Sequence, residues 1–329
     1  MAIIRPTLRD VAERAGVSEM TASRVLRGLG EASEETINRV RSVADTLGYV
    51  PHRIASSLSS RNVDLIGVVV PSISSMVFSD VLSGISEAAS TADKQVAISV
   101  SGYDLAAEER AVREMLSWRP TGLIVAGLEH TDATRNYMKN SGIPTVEIMD
   151  VDGDPVDMNV GISHSKVGRN AAGIILSKGI RKIGFVGTGM PNDFRAAKRL
   201  SGFKEELSRR GVPLVAEEFY SGNSSLRLGK SLTERVLTRH PEIECLYFSS
   251  DVLSCGAVLY CLEAGRAVPD DLAIAGFNGL EIRLAMPVVP ATSHAFRREC
   301  GTRAAELILE ASSGKIIEFH SEFDPGDFF

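Results

Sequence analysis

From Asp64 onward the chain alternates short apolar runs with amphipathic stretches of helical period, and the alternation runs through twice. LIGVVV (65–70) has the continuous apolar run expected of a strand buried on both faces of a parallel sheet. A helix from Phe78 to Asp93 follows, with Val81, Leu82, Ile85 and Ala89 spaced to face inward. Then come strand 96–100, helix 105–118, strand 122–127, helix 132–140 and strand 145–149. The pattern restarts with helix 165–177, strand 182–187, helix 195–210, strand 217–220, helix 225–239, strand 245–250, helix 252–264 and strand 273–277. Parallel strands need crossover helices, so this order predicts an α/β core of two doubly wound parallel-sheet subdomains. Ligands of such sheets lie at the C-terminal ends of the strands, which places a binding cleft between the two.

The stretch before this core obeys different rules. In TLRDVAERAGVSEMTASRVLR (7–27), Thr7 can cap a first helix with Asp10 reaching back to it, and Gly16 can end that helix in the left-handed region. Ser18 then caps a second helix in which Ala22, Val25 and Leu26 face one side, while Glu19, Met20, Thr21 and Arg24 are presented outward. Two short helices joined this way describe a helix-turn-helix, whose second helix reads base edges in the major groove. An ordinary helical hairpin has the same pattern. Ser33 caps a third helix with a stripe at Ile37, Val40, Ala44 and Leu47, closed by Gly48, so a small all-α domain precedes the core. RIASSLSS (53–60) is serine-rich and too short to be helical alone, and it reads either as a linker or as a helix that forms only on a partner.

Charge is uneven. Residues 1–62 hold nine arginines and seven acidic residues, or +2, which leaves −8 of the total −6 for the remainder. Phosphate contacts supply much of DNA affinity, so a head this weakly basic favours a dimer if DNA is the partner. The four cysteines show no paired spacing, the N-terminus carries no apolar targeting run, and no apolar stretch could span a bilayer; a cytoplasmic protein without membrane contact is expected. There is no phosphate-binding loop, no HExxH and no GxSxG elbow, and Gly184, Gly187 and Gly189 fall short of a dinucleotide fingerprint because Asn192 holds its last position. The histidines stand singly. No enzyme, cofactor or metal is expected. The strand ends instead offer Ser74, Ser75, Phe78, Asp150, Arg195, Arg199, Ser250, Asp251, Asn278 and Arg297, polar groups and an aromatic face that suit a hydroxyl-rich ligand, with arginines that suit a carboxylate.

TLRDVAERAGVSEMTASRVLR, LGYVP followed by RIASSL, IGVVVP and VPDDLAIAGF together resemble the LacI/GalR family of bacterial transcription regulators, over essentially the whole chain. EMTASRVLRG, VFSDVLSGI, MLSWRPTGLI, VEIMD and Arg297 are similar to the gluconate-type repressors within it. The resemblance implies a DNA-binding domain (1–52), a hinge helix (53–62) and an effector-binding, dimerising core (63–329). One subdomain of that core would span about 63–160 plus 293–329 and the other about 161–292. By position, Glu19, Met20 and Arg24 meet base edges, and Thr7, Ser18, Thr21 and Ser23 meet phosphates. Arg53 and Ala55 lie in the hinge with Leu58, the wedge expected to enter the minor groove and kink it; this replaces the linker reading.

Several positions depart from the family. Ala22 and Arg27 replace the valine and asparagine of TVSRVLN, Pro51-His52 stands for Pro-Asn, and Ser250 and Asn278 replace an asparagine and an acidic residue of the cleft. More arginine and fewer acidic groups move the expected effector from neutral sugars to a sugar acid such as gluconate or a ketogluconate. The chain ends FDPGDFF without a leucine heptad, so no tetramer by that route is expected. The reading is therefore a dimeric repressor of carbohydrate-metabolism genes on a palindromic operator. The alternatives are the same regulator with a neutral sugar or disaccharide, or a solute-binding protein.

Overall fold

The computed structural model describes residues 6–28, 32–50 and 63–328, in two compact units that divide between Val63 and Asp64. The first contains α1 (Leu8–Ala15), α2 (Glu19–Leu26) and α3 (Glu34–Leu47). Thr7 Oγ1 accepts from the Asp10 N–H at 3.3 Å while the Thr7 N–H donates to Asp10 Oδ2 at 2.7 Å, the reciprocal cap the sequence predicts. Gly16 turns the chain at φ 67°, and Ser18 Oγ accepts from the Thr21 N–H at 3.1 Å to open α2. Val11, Ala15, Ala22, Val25, Val40 and Ala44 form the core. Arg39 Nε donates to the Ala15 carbonyl at 3.0 Å, which satisfies an end carbonyl of α1 from α3.

The second unit has two lobes. The first lobe carries β1 (Val63–Val70), β2 (Gln95–Val100), β3 (Pro120–Ala126), β4 (Thr145–Ile148), β5 (Met158–Gly161) and β11 (Ile316–Glu318), in the order β11-β5-β4-β3-β1-β2. The second carries β6 (Ile183–Thr188), β7 (Ala216–Tyr220), β8 (Cys245–Phe248) and β9 (Ala273–Ala275), in the order β7-β6-β8-β9 with parallel registers. Helices α4 (Met76–Thr91), α5 (Leu105–Ser117), α6 (Asp132–Asn140) and α11 (Arg297–Leu309) belong to the first lobe. Those of the second are α7 (His164–Ser177), α8 (Phe194–Arg209), α9 (Leu226–Arg239) and α10 (Asp251–Ala264). Val81, Ile85 and Ala89 of α4 are fully buried as expected, with Leu82 at the edge of the core.

Three helix pairs cross through glycines. Gly84 and Gly301 join α4 to α11, Gly168 and Gly202 join α7 to α8, and Gly229 and Gly256 join α9 to α10. A Cβ on any of the six would run into a backbone carbonyl of the facing helix.

The structure differs from the sequence reading at several elements. β5 and β11 are short strands that the apolar-run criterion does not detect, and α11 lies past the last predicted strand. The strand expected at 245–250 stops at Phe248, because Ser250 is already the cap of α10, its Oγ accepting from the Val252 N–H at 3.2 Å. The end of the chain does not stay with the first lobe: Phe328 is buried in the cluster of the second that holds Ile183, Phe203 and Cys245, and half-buried Phe323 packs against that cluster. There β12 (Phe323–Asp324) pairs antiparallel with β10 (Thr292–Ser293), alongside the segments that run between the lobes.

Candidate nucleic-acid interface and ligand cleft

In the helical unit, burial of Ala22 and Val25 turns the opposite face of α2 outward. Glu19, Met20 and Arg24 are exposed, and Met20 keeps 72% of its surface accessible, a large apolar side chain among polar neighbours on one helix face. Thr21 and Ser23 are half-buried beside them. The hydroxyls of Thr7 and Ser18 are already engaged as caps, so any phosphate they meet must share that geometry. Arg53, Ala55 and Leu58, the expected hinge contacts, lie outside the described residues.

Between the lobes is a cavity of about 340 Å³, the size of a small-ligand site. The structure brings seven of the ten expected cleft residues to its wall: Ser74, Ser75 and Phe78 from the start of α4, Arg195 and Arg199 from α8, and Ser250 and Asn278 from the ends of β8 and β9. Arg195 and Arg199 are four apart, so both project from one face of α8. The Arg195 guanidinium lies 5.6 Å from the centroid of the Phe78 ring. Arg199 is buried: Nη1 donates to His164 Nδ1 and Nη2 to the Ser249 carbonyl, each at 3.0 Å, and Cζ stacks 3.6 Å from the Phe277 ring centroid. Burial pushes the Arg199 pKa down from its usual value. Among the described residues, neither guanidinium has a carboxylate within ion-pair distance.

His164 completes this arrangement. It is fully enclosed, and burial first, then the charge of Arg199, holds its pKa well below the usual histidine value. The neutral ring donates from Nε2 to the Met149 carbonyl at 2.8 Å and accepts at Nδ1 from Arg199.

The other three expected cleft residues do not reach the cavity. Asp150 is buried beneath the first lobe's strand ends, accepting from the Asp152 N–H at 2.9 Å and from Lys198 Nζ at 2.6 Å. Asp251 is a staple of the second lobe, accepting from the Leu280 N–H and from Thr292 Oγ1, both at 2.7 Å. Arg297 donates from Nε to Asp80 Oδ2 at 2.9 Å and to the carbonyls of Asn278 and Gly279, so it ties α11 to α4 and fixes the loop that carries Asn278. In each case the polar side chain is consumed by the backbone or by an opposite charge of the fold itself.

Comparison with known proteins decides what this pairing of units is. Residues 7–52 match the family described as bacterial regulatory proteins, lacI family. Residues 63–318 match the one described as periplasmic binding proteins and sugar binding domain of LacI family. The chain belongs to the LacI family.

The family members most informative here are transcriptional regulators. The regulator GntR of Pseudomonas aeruginosa is 35% identical over 95% of this chain and 91% of its own length. The regulator IdnR of Escherichia coli is 32% identical over 93% of this chain and 91% of its own. A LacI-family regulator structure from Silicibacter pomeroyi superposes with a TM-score of 0.93 at 46% identity, over 98% of both chains. The lac repressor dimer bound to operator, at 23% identity, shares the fold with a TM-score of 0.82 over 99% of both chains. This LacI-family protein is therefore a DNA-binding transcriptional regulator of sugar metabolism, and its relatives are named as regulators rather than as enzymes. No helix among its described residues is long and apolar enough to cross a membrane.

Sequence reasoning missed Tyr103, His164, Asp193, Tyr220 and Phe277, all of which line the cavity. Tyr103, Tyr220 and Phe277 sit at or just beyond the ends of β2, β7 and β9, so the strand-end rule applied evenly would have found them. Asp193 is the N-cap of α8, its Oδ1 accepting from the Ala196 N–H at 3.3 Å.

Proposed function

We propose that this regulator takes a sugar acid in its cleft, gluconate or a ketogluconate, and that occupancy changes the affinity of its homodimer for a palindromic operator. The observation that carries the reading is the pair of guanidiniums, Arg195 and Arg199, on one cavity wall: among the described residues neither is in ion-pair contact with a carboxylate, and Asp193 is the one acid that shares the wall. A buried arginine is costly unless its charge is matched, and a ligand carboxylate matches it through paired N–H donors. Phe78 and Phe277 supply apolar faces, and Ser74, Ser250, Asn278 and Asp193 supply donors and acceptors for a hydroxylated chain. The gluconate-type relatives GntR and IdnR point the same way.

On the DNA side, α2 lies in the major groove with Arg24 on a guanine, while Leu58 of each hinge wedges the minor groove at the operator centre. Twin heads are needed because one head of net +2 neutralises few phosphates. The effector then acts by differential affinity for two lobe arrangements, a coupling of about 1–3 kcal/mol between cleft and operator.

Calorimetry with gluconate, 2-ketogluconate, glucose and cellobiose, followed by operator anisotropy with each binder, tests the reading. Gluconate or a ketogluconate should bind and shift operator affinity. Binding of a neutral sugar with no response to either acid would overturn it.

A further inference from the structure

One segment of the second lobe reaches across the cleft to the first. Asn192 Nδ2 donates to the Tyr103 carbonyl at 2.9 Å, and Lys198 Nζ lies 2.5 Å from Glu129 Oε1 and 2.6 Å from Asp150 Oδ2. Tyr103, Glu129 and Asp150 follow β2, β3 and β4, so the contacts land on three successive strand ends of the first lobe. Tyr103 holds a left-handed φ of 61°, a strained conformation for a tyrosine that persists because its surroundings fix it. The cavity is lined by Arg195 and Arg199 on the same helix, yet Lys198 is not part of its wall.

We propose that Lys198 is a positioning residue for effector binding: it clasps the lobes closed through Glu129 and Asp150 without touching the ligand. The inference rests on the reading of the cleft as the effector site. In the closed arrangement one ammonium stands between two carboxylates, and the Asp150 side chain has no solvent exposure. Without that ammonium the closed form buries the Asp150 carboxylate next to Glu129 with no counter-charge and only the Asp152 N–H as a donor, whereas an open form lets water reach both acids. Removing the charge therefore moves the resting population towards open. Apparent ligand affinity falls by the fraction that remains closed, although every ligand contact is intact.

The test uses the full chain. Small-angle scattering of ligand-free wild type, Lys198→Met, Lys198→Gln and Lys198→Arg reports lobe separation, and calorimetry with gluconate reports affinity. Lys198→Met should expand the ligand-free particle and weaken gluconate binding on the order of tenfold, with Lys198→Arg restoring both. Lys198→Gln keeps length and polarity without charge, and carries the same expectation should the methionine variant fail to fold. Scattering of both uncharged variants that matches wild type overturns the clasp. If wild type binds no gluconate, the effector assignment fails, while an expanded Lys198→Met particle still upholds the clasp.

Discussion

His164 and Arg199 share a hydrogen bond of 3.0 Å, from Nη1 to Nδ1, that exists only while the imidazole is neutral. The same ring is fully enclosed and has its pKa held well below 6.5 by burial and by the arginine. The folded state therefore resists a proton that the unfolded chain accepts below pH 6.5, and stability falls as pH drops beneath that value. The slope attributable to this one group is about 1.4 kcal/mol per pH unit. Urea unfolding of wild type and His164→Asn between pH 8 and pH 5 should show the acid loss reduced in the variant. Equal pH dependence in the two would mean that the ring takes up its proton without cost.

His130 has the opposite sign. It is enclosed between Glu108, 2.6 Å from Nδ1, and Glu147, 3.3 Å from Nε2. Burial opposes its charge, but the two glutamates outweigh burial and raise the pKa from 6.5 to about 9. The charged ring contributes stability in full below pH 6.5, and that contribution is lost as pH rises through about 9. His130→Gln should be destabilised at pH 6 and converge on wild type by pH 10. A constant difference between the two pH values would assign the role of His130 to packing alone.

Arg195 separates acid from sugar. If its guanidinium meets a ligand carboxylate, Arg195→Met loses a charge-assisted interaction of about 1.5–3 kcal/mol, roughly tenfold or more in affinity. Isothermal titration should show that loss for gluconate and little change in weak binding of a neutral hexose. Parallel losses for both ligands would place Arg195 on hydroxyls.

Much of the core was legible because parallel-sheet strands must be nearly continuous apolar runs, and LIGVVV or CLYF have few other uses in a chain of this length. β5 and β11 escaped because MNVG and IIE are too short for periodicity to show, and their strand character comes from their partners in the sheet. The cleft was legible to the level of strand ends and no further. Asp150, Asp251 and Arg297 have the chemistry of ligand contacts and sit at the right places in the chain, but each is turned to a partner within the fold, a choice made by tertiary packing. Arg199 and His164 show the reverse: their partnership spans 35 positions and two helices, so no local pattern announces it.

The glycine crossings make a prediction with its own control. Gly301→Ala sets a Cβ against the Val81 carbonyl of α4, and overpacking of this kind costs about 1–3 kcal/mol, more than the gain of at most about 1 kcal/mol that alanine brings to a helix. At Gly173, within α7, the nearest atom to an added Cβ is Glu206 Oε1 at 3.8 Å, an ordinary contact. Thermal unfolding should therefore rank Gly173→Ala above wild type and Gly301→Ala below it. A neutral Gly301→Ala would show that α4 and α11 can separate freely, and the close crossing would lose its significance.

Arg24 tests the nucleic-acid face. It is exposed on the side of α2 opposite the buried Ala22 and Val25, with Glu19 and Met20 one turn nearer the N-terminus. A guanidinium there can pair with both acceptors of one guanine edge, so Arg24→Ala should cost about 1–3 kcal/mol on the operator and relax selection at a single base pair. A phosphate contact would behave differently, weakening all sequences alike and lowering the salt slope by about one. Anisotropy titrations on an operator and on its single-base variants, each at two salt concentrations, separate the two outcomes. Only a loss confined to one position supports base reading by Arg24; a uniform loss with a shallower salt slope transfers that role to Glu19 and Met20.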